Sequence, residues 1–159
     1  GSSINSDKFF YKEKWIECLK VYLKKMNSNH LPICLLGDFN IAPEDKDIHT
    51  PSNYQESIMA SSKERRLLKN ALDGKLEDVF RIFEPGDKNW SWWDYRHSAW
   101  DRDKGWRIDH IYLTEDILSC ANSCWIDKEQ RSMDKPSDHA PVIADISWPP
   151  LEDENEFFF

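Results

Sequence analysis

The sequence predicts an α/β fold, and three observations carry that prediction. From Phe10 to Met26 the apolar residues Tyr11, Trp15, Leu19, Tyr22 and Met26 return at helical spacing among lysines and glutamates. The run Ile33 to Leu36 that follows is short, continuous and apolar and stops at Gly37, as a buried strand does. It ends on Asp38-Phe39-Asn40, and a helix, a strand and then a polar turn is the alternation of α/β proteins.

The remaining elements follow in chain order. Leu31-Pro32 closes the first helix. Residues 41–62, with Pro43, Pro51 and many polar side chains, read as a surface loop of a length that is usually functional. Ser62 then opens a helix whose apolar face is Leu67, Leu68, Ala71 and Leu72 and which stops near Gly74; Lys63-Glu64-Arg65-Arg66 and Lys69 make its solvated face. Asp78-Val79-Phe80 leads into another buried edge, and Pro85-Gly86-Asp87 is a turn. Trp90, Trp92 and Asp94 alternate with Ser91, Trp93 and Tyr95 as in a strand. Residues 106–113 have the length and composition of a strand, with Arg107, Asp109 and Ile111 on one face and Trp106, Ile108 and His110 on the other. A short helix from Glu115 to Ala121 and a last strand, Val142 to Ile146, complete the set.

With 159 residues, 40% of them hydrophobic, the chain can bury a core. No internal repeat or linker divides it, so residues 4–148 read as one piece of a domain. Gly1-Ser2-Ser3 reads as a cloning scar and residues 149–159 as an acidic and aromatic tail. Nothing approaches a membrane span or a signal segment, and the expectation is a soluble, cytoplasmic protein with no membrane partner. Cys18, Cys34, Cys120 and Cys124 lack a Cys-x-x-Cys spacing and read as reduced core residues. The formal charge of -8 argues against a nonspecific coat for nucleic acid; Glu152-Asp153-Glu154-Asn155-Glu156 supplies four of those negatives.

Chemistry concentrates in three segments. Asp38 and Asn40 flank Phe39, so both polar groups can point one way while the ring packs inward; taken alone, Gly-Asp-x-Asn is better read as an Asx turn. Asp138-His139 is ordinary turn chemistry unless a partner fixes the ring, and Asp109 on the neighbouring strand is the candidate, its alternative being a surface pair with Arg107 or Arg102. Three carboxylates, an amide and a histidine suit metal-assisted phosphodiester hydrolysis. Trp90, Trp92, Trp93, Trp100 and Trp106, interleaved with Arg96, Arg102 and Lys104, suit stacking on bases, although aspartates leave the stretch neutral and some of these rings belong to a core.

In order, Leu-Leu-Gly-Asp-Phe-Asn-Ile-Ala-Pro, Ser-Trp-Trp-Asp-Tyr-Arg, Gly-Trp-Arg-Ile-Asp-His and Arg-Ser-Met-Asp-Lys-Pro-Ser-Asp-His-Ala-Pro-Val closely resemble the bacterial exonuclease III group of apurinic/apyrimidinic endonucleases, within the endonuclease/exonuclease/phosphatase family. The resemblance runs from about Ser6 to Ile146. It implies a four-layer α/β sandwich of the DNase I-like type, and magnesium-dependent (alternatively manganese-dependent) DNA hydrolysis at abasic sites or 3′ ends of duplex DNA. By resemblance Asp38 orients the attacking water, Asn40 holds the scissile phosphate, His139 stabilises charge on phosphorus and Asp109 fixes its ring. Asp138, with Asp38 and Asn40, lies at the metal; Trp92, Trp93, Tyr95, Arg96 and Trp106 face DNA, Trp92 lining the abasic-sugar pocket. An asparagine and a glutamate of the family's metal site and a tyrosine have no counterpart, so the chain looks like a carboxy-terminal half. Such a half is expected to bare the inner face of one sheet, to self-associate or take a companion, and to be weak or inactive alone. The competing expectations are a phosphoesterase acting on a non-DNA substrate, such as phosphoinositides, and a noncatalytic nucleic-acid or protein-binding module.

Overall fold

A computed structural model describes residues 3–148; the acidic and aromatic tail lies outside the described residues. The chain runs α1 (Asp7–Ser28), β1 (Cys34–Asp38), α2 (Ser62–Leu72), β2 (Glu77–Asp78), α3 (Val79–Phe83), β3 (Asp109–Leu113), α4 (Glu115–Leu118), β4 (Ala121–Ile126), α5 (Lys128–Arg131) and β5 (Val142–Ile146). One sheet has the order β1-β3-β2 and the other pairs β4 with β5, all antiparallel.

α1 starts where the Ser6 hydroxyl accepts the Phe9 N–H, a side-chain N-cap. The helical period is as expected but the buried face is rotated. Phe9, Ile16 and Leu23 go inward, whereas Tyr11 is 73% exposed and Tyr22 and Trp15 also face out. A seven-residue spacing returns to almost the same face of a helix, and this stripe outcompetes the aromatic one because it meets α2 and the sheet.

Above the three-stranded sheet, Ile16, Leu23, Phe39, Leu68, Ala71 and Tyr112 join α1 and α2 to β1 and β3. On its other face Ile111 and Leu113 meet Val79, Phe80 and Cys124, with residues of β5 alongside. Parts of two facing sheets are therefore present, so the bare face of one isolated sheet is corrected to a partly covered one. What stays open is the edge and one face of β1, where Leu36 is 63% exposed. The expectation that Ile33 to Leu36 is a buried strand is corrected accordingly: only Ile33 is buried.

Further corrections have local causes. The 41–62 segment is no surface loop, because Ile41, Ala42, Asp47, Ile48 and Ala60 are buried and two short 3₁₀ turns fold it onto the sheet. Residues 90–95 form isolated bridges rather than a strand, and β4 arises where the sequence suggested the end of a helix. Of the cysteines, all free, only Cys124 is buried.

Candidate active site

The register of β1 against β3 sets Asp38 opposite Asp109. Phe39 dives into the core against Tyr112, which leaves its two polar neighbours outside. Asn40 turns to φ 50°, and both of its N–H groups reach back: the backbone N–H donates to Asp38 Oδ1 at 2.8 Å and Nδ2 to Asp38 Oδ2 at 2.7 Å. The Asx turn and the functional pairing are thus one geometry, a carboxylate and an amide locked together at a strand end. Lys12 of α1 donates to the Asn40 carbonyl at 3.0 Å and pairs with buried Glu64, which ties the turn to both helices. Although Asp38 lies at the surface, partial desolvation by its neighbours pushes its carboxyl up, helped by the charge of Asp109 and opposed by the Asn40 N–H.

Across the rung, Asp109 holds the His139 ring. Nδ1 lies 2.9 Å from Asp109 Oδ2 and 3.1 Å from Oδ1, so Nδ1–H donates and Nε2 is left for a ligand. Ser91, absent from the sequence expectations, completes the arrangement. Its hydroxyl donates to Asp109 Oδ2 at 2.7 Å while accepting the N–H groups of Ile108 and Asp109. The hydrogen bond to Asp109, with the charges of Asp109, Asp38 and Asp138, holds the His139 ring above its usual range. Asp38, Asp109 and His139 each offer a donor atom within 4.8 Å of the others. A cleft of about 320 Å³ opens over them, walled by Leu36, Ser137 and Val142.

The alternative pairing of Asp109 with arginine is not the one adopted. Arg107 is buried and bonds Asp47 at 2.7 Å and Asp78 at 2.7 Å, with Arg81 completing the network. Arg107 also donates to His110 Nδ1 at 3.0 Å, and His110 Nε2–H donates to the Ile41 carbonyl at 2.9 Å. Burial and the Arg107 charge push His110 down to about 4. Burial drives the Asp47 carboxyl up, but Arg107 and Arg81 overcome it and hold it below its usual range. This network fixes the 41–48 segment, and with it the Asn40 turn, to β3.

The Trp92 segment lies between residue 106 and residue 139. Trp106 N–H donates to the Trp92 carbonyl at 2.9 Å, and Ala140 N–H to the Ser91 carbonyl at 2.7 Å. Trp92 is half-buried and its Nε1–H donates to Asp138 Oδ2 at 2.9 Å, so Asp138 is held beside the cluster rather than within it. Tyr95 and Arg96 are exposed; Tyr95 O–H donates to the Pro136 carbonyl and Arg96 clasps Asp94. Trp93 is 0% exposed and Trp106 5%, so neither ring has a surface to offer, and the expected outward role is corrected to a supporting one. Gly105 is required here, since a Cβ on it would fall inside the Trp90 side chain.

Two packed sheets, with an aspartate-held histidine beside the facing ends of β1 and β3, make the DNase I-like α/β arrangement. The chain belongs to the endonuclease/exonuclease/phosphatase family, whose sequence profile matches residues 2–139. It is 35% identical over 152 residues to exodeoxyribonuclease III of Haemophilus influenzae, covering 91% of this chain and 57% of that one. It is 31% identical to an exodeoxyribonuclease of Bacillus subtilis, over 83% of this chain and 51% of that one. Among solved structures, the Neisseria meningitidis 3′-5′ exonuclease superposes with a TM-score of 0.88 at 39% identity, covering 93% of this chain and 58% of that one. An AP endonuclease from Archaeoglobus fulgidus gives 0.85 at 34%, covering 92% and 58%. The chain therefore spans somewhat over half the length of these relatives.

Proposed function

We propose that this chain carries one half of a divalent-metal-dependent DNA phosphodiester hydrolase acting at abasic sites or 3′ ends. The observation that carries the reading is the Ser91–Asp109–His139 relay facing the Asp38–Asn40 pair across one rung. Asp109 fixes the ring and favours its protonated form, so that Nε2–H donates to a phosphate oxygen, and Asn40 lends an amide to the same group. Asp38, whose carboxyl partial desolvation pushes up, accepts a proton from an attacking water.

The donor chemistry fits a hard cation. Each Asp38 carboxylate oxygen accepts one N–H and keeps a lone pair, Asp138 accepts one N–H on Oδ2, and Asn40 adds an amide. These residues would hold magnesium, or manganese, with further oxygens from water, substrate or a companion segment. Such an ion supplies charge neutralisation at the phosphate. In this reading Trp92, Tyr95 and Arg96 meet the DNA, and the open edge of β1 takes either a companion chain or a second copy. The chain alone is then weak or inactive.

The test follows a duplex with one synthetic abasic site in magnesium, reading incision and the backbone amide shifts of Asn40 and His139 together. The reading expects shifts at both residues, and little incision, any of it lost in Asp109→Asn. Unmoved Asn40 and His139 signals, or incision indifferent to Asp109→Asn, would overturn it.

A further inference from the structure

A second cavity, of about 720 Å³, opens between α2, β2 and the start of α3, apart from the Asp38–His139 cleft. Its volume lies in the range of small-molecule sites. Its lining includes the apolar Leu72, Leu76 and Ile82. It also includes the cations Arg65, Arg66 and Lys69 from α2 and Arg81 from α3.

Three polar atoms on residues lining this cavity are buried with no hydrogen-bond partner among the described residues: Arg65 Nη2, Arg81 Nε and Tyr112 Oη. All three can donate. A buried donor without an acceptor is destabilising, so an acceptor-rich ligand would relieve several at once. The nearby carboxylates are engaged: Asp45 with Arg65, Asp47 with Arg81 and Arg107, Asp78 with Arg107, and Glu44 with Lys46. Glu77 is the remaining acid on the lining. Arg66 and Lys69 make no ion pair among the described residues, so the cavity keeps a positive surplus in a chain of net charge -8.

We infer that this cavity binds a small organic phosphate, its phosphoryl oxygens facing Arg65, Arg66, Lys69 and Arg81 and its apolar part resting on Leu72, Leu76 and Ile82. A terminal phosphate has three oxygens to share among these donors, one more than a carboxylate. The inference does not rest on the proposed nuclease activity, because none of Asp38, Asn40, Asp109 and His139 lines the cavity.

Phenyl phosphate is the probe, titrated onto the whole chain by calorimetry and by side-chain NMR of the arginines, beside phenol and inorganic phosphate as its two halves. The expected result is saturable binding at least about tenfold tighter than either half, with movement of the Arg65 and Arg81 signals. Replacing both exposed cations, Arg66→Ala with Lys69→Ala, should weaken it at least about tenfold with the melting curve unchanged, while His139→Ala leaves it intact. No saturable binding, binding indifferent to the double replacement, loss in His139→Ala, or inorganic phosphate binding as tightly would each overturn the proposal.

Discussion

His110 and His139 illustrate how residue environment sets proton affinity. His139 gains a carboxylate partner and its folded affinity for a proton rises above the ordinary 6.5. Its contribution to stability is therefore complete below that value and fades as pH rises through the raised one. The stability gap between the native chain and His139→Gln, from denaturant unfolding, should be larger at about pH 6 than at about pH 9. His110 behaves oppositely: buried against Arg107, it is depressed from 6.5 to about 4. The unfolded chain binds the extra proton in that window, so this group's contribution to stability is present above 6.5 and is lost as pH falls toward 4. Ring NMR should show His110 neutral with the proton on Nε2 down to about pH 5, and a signal titrating near 6.5 would refute the buried assignment.

Elements show which structural cues are local and which are not. α2 begins at Ser61, whose hydroxyl accepts the Glu64 N–H while the Glu64 carboxylate accepts the Ser61 N–H, a capping box. Glu64 is 0% exposed and also bonds Lys12 and the Met59 N–H, so the charged run beginning at Lys63 was not all solvated face. Glu64→Ala should destabilise the fold by roughly 3 kcal/mol, measured by denaturant unfolding, since it strands several donors at once. Gly105→Ala should cost about 1–3 kcal/mol by overpacking Trp90, with the near-ultraviolet tryptophan signal altered. The ends of α2 and the strand β5 were legible because caps and apolar runs are local patterns, whereas the pairing of Asp109 with His139 stood beside an arginine pair as one of two candidates until the family resemblance favoured it. Ser91, the Asp47–Arg107 network and the burial of Trp93 were not. Each depends on which distant segment lies opposite, and a lone serine, an Asp or a Trp looks the same in either setting. β4 escaped for a related reason: its Ala, Asn and Ser positions carry little strand preference, and pairing with β5 supplies what they lack.

At the scale of the molecule, β1 is a sheet edge with an exposed leucine on an open face, a combination that invites pairing with another strand. Sedimentation over a wide concentration range should show association that weakens in Leu36→Lys; a monomer throughout would argue that this edge is quiet. No helix among the described residues is long and apolar enough to cross a membrane. The rung joining Asp38 to Asp109 has one more consequence, for how the sequence can vary. The two aspartates sit at opposite ends of the long 39–108 excursion, yet only the hydrogen-bond ladder between β1 and β3 aligns them. Lengthening the exposed turn at Pro85-Gly86-Asp87 would leave their spacing untouched. One residue inserted inside either strand would shift the ladder and turn the downstream side chains to the opposite face. Tolerance to insertions is therefore written in the ladder, and a library of single-residue insertions should retain folded chains at that turn and lose the paired aspartates within the strands.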